Sequence, residues 1–207
     1  MNFIEQLNTA LDQIMLQMPY LFTILAWTWM VHFVNVLCHY RLCVLGIIPR
    51  FPTGLIGIFL SPFIHGSFNH IFMNSLFFLG LGSFVILQGR LVFNVVSISI
   101  IVLSGLTTWL LGRRASHVGA SSVIMGYWSF LLLHAYYHPD LVNIIAAFLG
   151  MYYFGVHMAA SLVSTGKGVS MEGHAFGFLA GGFTGAFYVQ IEPIVIQYAQ
   201  YFGLYLY

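Results

Sequence analysis

The stretch PFIHGSFNHIFMNSLFFLGLGSFVIL, residues 62–87, decides how this chain is read. It carries no Asp, Glu, Lys or Arg. From Phe68 onward it is long enough to cross a bilayer, which takes about 20 mostly apolar residues as a helix. Two of its polar side chains matter most. His70 and Asn74 stand at i and i+4, so a helix puts them on one face, about 6 Å apart along its axis. Polar groups inside a membrane are costly and each needs a reason.

The rest of the chain repeats this pattern. Of 207 residues, 60% are hydrophobic and 5% charged, with a formal net charge of +1. An ordinary soluble domain carries about 25% charged residues. Such a composition excludes a water-covered globular enzyme, a nucleic-acid binder driven by a basic patch and a disordered chain. It also leaves no long-range field to steer acidic partners. The nine histidines outnumber the six Lys and Arg and the five Asp and Glu.

Six segments are expected to span: about Pro19–Cys38, Phe68–Leu87, Leu91–Leu111, Val118–Tyr137, Leu141–Val163 and Gly173–Ile191. Turn-forming residues separate them at Gln88-Gly89-Arg90, Gly112-Arg113-Arg114, His138-Pro139-Asp140 and Thr165-Gly166-Lys167-Gly168. The expected fold class is all-α and polytopic. Leu55 to Gly66 is apolar but too short to span, which suits a re-entrant or interfacial element. It falls in the long first connection, about His39 to Ser67, and long loops are often functional.

Three regions follow. Residues 1–18 place Phe3, Ile4, Leu7, Leu11, Ile14, Met15 and Met18 at helical spacing, which predicts an amphipathic helix on the membrane surface. The segment has neither the basic start nor the small-residue cleavage site of a signal peptide. Residues 19–191 form the six-span body, and the Tyr-rich tail 192–207 is expected at the interface. Cys38 and Cys43 fit neither a zinc-finger nor a CxxC spacing and read as two free thiols.

Parity gives the site. If the long first connection lies on side A, spans two, four and six all begin there. Just inside those starts stand His70, Ser121 and His174, at similar depth. Ser121 lies in Val118-Gly119-Ala120-Ser121-Ser122. Small residues there leave room for a substrate carbonyl, and the first amides of a helix have no partner within it. A serine so placed can attack while its own amide helps hold an oxyanion, given a base to take its proton. His174 supplies the base by position. Gly177, Gly181 and Gly185 follow it on one face and permit close helix packing. His70 and Asn74 provide two further donors for an oxyanion.

These motifs resemble the rhomboid family of intramembrane serine proteases. The signs are Pro62-Phe63-Ile64-His65-Gly66-Ser67-Phe68-Asn69-His70 leading to Asn74, then Gly119-Ala120-Ser121-Ser122, then His174-Ala175-Phe176-Gly177 with Gly181. Leu45-Gly46-Ile47-Ile48-Pro49-Arg50 also looks like the family's first loop. The resemblance, from about Cys38 to Gln190, implies a six-helix rhomboid fold. It implies Ser121 as nucleophile and His174 as base, working as a dyad. His70, Asn74 and the Ser121 amide would bind the oxyanion. Gly119 would permit the loop conformation and Gly177 the contact between spans four and six, while His65 would support the water-facing cavity. The implied substrates are transmembrane segments of other membrane proteins. No metal, cofactor or nucleic acid is implied. Ser122 stands where the family most often has Gly, and Met125 where an aromatic residue commonly packs on the base.

Other readings stand beside this one. A rhomboid-like protein could bind membrane clients without cutting them, but here both Ser and His are present. Haem ligation by His70 and His174 would leave Gly119-Ala120-Ser121 unexplained. A lone membrane histidine more often packs than reacts, and that reading is applied to His32, His134 and His157. His39, His117 and His138 lie near loop ends and are expected at the interface. Glu172 is two residues from His174, so the two do not share a helix face; it reads as a solvated loop charge. Arg41, Arg50, Arg113, Arg114 and Lys167 all fall on side A, against Arg90 on side B, which by the positive-inside rule would make side A cytoplasmic. The resemblance implies the reverse, with the active site outside and both termini in the cytoplasm, in a bacterial inner membrane. The resemblance is followed here.

Overall fold

A computed structural model describes residues 3–155 and 171–201. The elements run α1 (Phe3–Leu37), α2 (Thr53–Leu60), α3 (Phe68–Ile86), α4 (Arg90–Leu111), α5 (Ser121–Tyr137), α6 (Leu141–Leu149) and α7 (Met171–Tyr201). Short 3-10 turns occupy Arg41–Leu45 and Ser61–Phe63, and α6 runs into a π-helical turn over Gly150–Gly155. Helices α1, α3 and α4 are each long and apolar enough to cross a membrane. His157, Lys167 and the end of the fifth expected span lie outside the described residues.

Helix α5 stands at the centre. Every residue from Val123 to Leu131 is buried, in a core shared with Leu21 of α1, Phe78 and Leu81 of α3, Phe93 and Ile100 of α4, and Ala180 and Tyr188 of α7. The Tyr127 hydroxyl would be costly in such a place without a partner. It hydrogen-bonds Ser97 Oγ at 2.6 Å.

The seam between α5 and α7 is closely packed. A Cβ added at Gly177 would strike the Ser122 carbonyl, and one at Gly181 would strike the Gly126 carbonyl and Ser129 Oγ. Ser129 Oγ donates across the seam to the Phe178 carbonyl at 2.6 Å. Lipid tails are as apolar as Leu, so helices in a bilayer gain little from simple burial. They associate through close packing and such hydrogen bonds.

Four sequence expectations change. Helix α1 does not break near Met18: it runs unbroken through Pro19. Leu7, Ala10 and Ile14 face Phe84 and Leu87 of α3 and Ala146 of α6 across a cavity of about 610 Å³. Helix α5 begins at Ser121 rather than Val118, because His117 is bridged antiparallel to Ile47 and Gly119 takes φ +110°. Helix α7 continues through Pro193 to Tyr201, past the expected end at Ile191. The short apolar stretch near Leu55 divides into α2 and the turn Ser61–Phe63. Gly57 of α2 abuts the Gly46 carbonyl, and Gly105 of α4 abuts Ile58. The first connection is thereby fastened to the bundle.

Candidate active site at the side A ends of α3, α5 and α7

Ser67 opens α3 by capping it: its Oγ accepts from the His70 backbone N–H at 3.2 Å. That cap fixes where the helix starts and puts His70 in its first turn. One turn on, Asn74 is buried. Gly119 presses on both. A Cβ there would lie 2.5 Å from His70 Cε1 and Nε2 and 3.3 Å from Asn74 Nδ2. Its φ of +110° also disfavours any side chain. Glycine is required here twice over, by space and by backbone.

The turn before α5 is held from outside. The Gly119 N–H donates to the Ser61 carbonyl at 2.9 Å, and Ile47 and His117 exchange backbone hydrogen bonds at 3.0 Å. Ser116 Oγ donates to the Cys43 carbonyl. So the first connection, through Cys43, Ile47 and the 3-10 turn at Ser61, holds the turn that presents Ser121, which is partly buried at the first position of α5. The amides of this first turn have no intrahelical acceptor.

His174 is buried in the first turn of α7. Gly177 follows one turn later against the Ser122 carbonyl, so the face carrying His174 meets the start of α5. His174 is also within electrostatic reach of His70. Asn74 Nδ2 is buried beside Gly119 and has no hydrogen-bond partner among the described residues.

His65 is fully buried, with its ring edge-on to His70 at 5.0 Å between centroids. Burial and the neighbouring His70 push its pKa down to about 3. The ring is therefore neutral at ordinary pH. Asn35, absent from the sequence reading, holds this region. Its Nδ2 donates to the His65 carbonyl at 3.1 Å, and its Oδ1 accepts from the Leu42 N–H at 3.0 Å. A buried Asn near the end of a span was itself the available signal.

Several side chains differ from expectation. His117 is buried within the protein, its Nε2 3.0 Å from the Arg113 carbonyl. Glu172 is not a free solvated charge, since it lies 3.4 Å from Arg113 Nε. It points to that arginine rather than completing a triad. His32 is buried within electrostatic reach of both His65 and His70. Met125 is fully buried in the core. Cys38 and Cys43 are free thiols. Among the described residues, no three His, Cys, Asp or Glu side chains group as metal ligands.

Residues 52–191 match the Rhomboid domain. The chain belongs to the rhomboid family. It is an all-α, polytopic integral membrane protein. It is 31% identical over 167 residues to uncharacterized proteins of Mycobacterium tuberculosis and Mycobacterium bovis, covering 77% of this chain and 70% of theirs. An uncharacterized protein of Mycobacterium leprae is 30% identical over 132 residues, or 60% of this chain and 53% of that one. The rhomboid match takes in α2 to the middle of α7, and so His65, His70, Asn74, Gly119, Ser121, His174, Gly177 and Gly181, but not Asn35 or His32. The long α1 precedes it.

Proposed function

We propose that this rhomboid-family protein is an intramembrane serine protease that cuts transmembrane segments of other membrane proteins through a Ser121–His174 dyad. The observation that carries the reading is the wedge at Gly119: a glycine two residues before Ser121, pressed on His70 and beside the unpartnered amide of Asn74.

The chemistry follows from the placement. A substrate helix unwinds at side A between α3 and α6. His174 takes the hydroxyl proton of Ser121 as Oγ attacks the scissile carbonyl. The carbonyl π electrons move to oxygen, and this oxyanion accepts hydrogen bonds from Asn74 Nδ2, a His70 ring N–H and the Ser121 backbone N–H. The intermediate collapses, and His174 gives its proton to the leaving amine. A water then loses a proton to His174 and attacks the acyl ester, which releases the new carboxyl end and restores Ser121. No acidic residue is assigned to orient the base. Close packing of α7 on α5 does that work.

The site is assigned to the outer face of a bacterial inner membrane. The rhomboid resemblance supports this, and the side A arginines, Arg50 and Arg113 among them, count against it by the positive-inside rule. Protease access to terminal tags in intact cells tests the orientation: protected termini are expected, and digested termini would reverse it.

The test of activity is cleavage of a generic transmembrane substrate by purified wild type and by Ser121→Ala, Ser122→Ala and His174→Ala. Loss in the first and last, with activity kept in Ser122→Ala, is the expected result. Full activity in Ser121→Ala with loss in Ser122→Ala would move the nucleophile by one residue. An inert wild type that still captures transmembrane helices would make the protein a client binder.

A further inference from the structure

Behind the candidate site, away from α7, the bundle is open. Toward side B, α1 and α4 are joined by polar contacts. Arg90 Nε and Nη2 donate to Gln17 Oε1 at 3.0 and 2.9 Å, and Tyr20 donates to Asn94 Oδ1 at 2.7 Å. The Arg90 guanidinium lies over the Tyr20 ring, 4.8 Å from its centroid. From Tyr20 and Asn94 toward side A, α1, α3, α4 and α5 enclose a mainly apolar cavity of about 540 Å³, with Thr28, Ser75 and Ser97 among its few polar lining residues. Its sides include Ile24 and Trp27 of α1 and Ile98 and Ile101 of α4, and it reaches Asn74 and Ala120 at the candidate site. Trp27 and Ile98 are each 59% exposed yet line the cavity, so they stand at its mouth.

We infer that this cavity is a lipid site: the acyl chain of a phospholipid from the side B leaflet enters between α1 and α4, while its phosphate sits at Arg90. Depth is the first argument. Trp27 lies seven residues beyond Tyr20 and Ile98 eight beyond Arg90, so the mouth is about 10–12 Å inside the polar clamp at 1.5 Å per residue. That is within the hydrocarbon, whose core is about 30 Å thick. Wall chemistry is the second. Apolar cavities exclude water and take apolar guests, and a mouth at this depth offers acyl chains. Charge complementarity is the third. Arg90 is exposed, lies at the span boundary and leaves Nη1 outside its bonds to Gln17. Basic side chains at the interface attract lipid phosphate. The chain then ends against Asn74 and Ala120 and lines one side of the site with hydrocarbon. The binding claim is independent of whether the protein is a protease.

The test uses the full chain in phosphatidylglycerol nanodiscs doped with a phospholipid that carries a diazirine in its acyl chain. After irradiation, adducts are mapped by peptide mass spectrometry. Phe78 and Val123 line the cavity but are buried from the outside, so adducts there require a chain inside it. Wild type is expected to carry them, and adducts confined to outer faces such as Phe33 and Leu106 would overturn the proposal. Ile98→Trp, which blocks the mouth, is expected to lower the buried adducts about tenfold; Leu106→Trp, elsewhere on α4, should leave them intact. Arg90→Gln should weaken labelling by the phospholipid probe but not by an uncharged diacylglycerol probe carrying the same diazirine. Unchanged labelling in Ile98→Trp would contradict the route, and unchanged phospholipid labelling in Arg90→Gln would contradict the headgroup site. Should Ile98→Trp fail to fold, the wild-type map alone decides.

Discussion

The two sides of α5 are built on opposite principles. Toward α7 a stripe of glycines brings backbone against backbone, and a Cβ at Gly177 or Gly181 has nowhere to go. Toward α1 and α4 the same helix borders a cavity of about 540 Å³. Under the proposed function, Ser121 and His174 would meet across the closed side, while Asn74 lines the open one. Rigidity would then lie where two side chains on different helices hold a proton-transfer distance, and space where no such distance has to be kept.

The contrast is most easily broken at Gly177. Gly177→Ala drives a methyl group into the Ser122 carbonyl. Overpacking of this kind costs about 1–3 kcal/mol, and a misplacement of about 1 Å at a catalytic pair costs about 100-fold in rate. Substrate cleavage and melting temperature in detergent should both fall, activity by far the more. Asn74→Ala sharpens the comparison from the other side. Removing an oxyanion donor costs about 100- to 1,000-fold in kcat. Because Asn74 Nδ2 has no hydrogen-bond partner among the described residues, the melting temperature should hold steady. A large loss of stability without loss of rate would make Asn74 structural.

His65 gives a pH prediction. Its folded pKa, about 3, lies below the ordinary 6.5. As pH falls below 6.5 the unfolded chain takes up a proton that the folded chain refuses, so stability present above 6.5 drains away toward pH 3. At pH 4.5 that amounts to roughly 2–3 kcal/mol at about 1.4 kcal/mol per unit. Thermal melts from pH 7 to 4 should show the decline, and His65→Gln should flatten it. The smallest effect is expected at Ile98→Ala on the open side. Its side chain is largely exposed, so the loss should stay within about 0.5 kcal/mol, as for other exposed positions.

Much of this was legible in the sequence, for physical reasons. Hydropathy and turn residues located α3 and α4 to within a residue or so, because a bilayer enforces length and apolarity together. Parity brought His70, Ser121 and His174 to one face, and the glycine spacing after His174 named the face of α7 that meets α5. What escaped was tertiary. Pro19 lies inside an unbroken α1, and no local pattern shows whether packing will carry a helix through a proline. The start of α5 shifted to Ser121 because Ile47, far away in sequence, bridges His117. Asn35 and the Ser61 carbonyl act through loop contacts that hydropathy cannot see. The pairing of Glu172, in the first turn of α7, with Arg113, in the loop after α4, likewise leaves no mark in local spacing.

The claim at the centre is that Ser121 is a nucleophile activated by His174. Labelling of the purified protein with a fluorophosphonate, with the adduct located by mass spectrometry, addresses it directly. The account predicts a single adduct on Ser121, lost in His174→Ala and retained in Ser122→Ala. An adduct on Ser122, or one on Ser121 that forms equally well without His174, would contradict it.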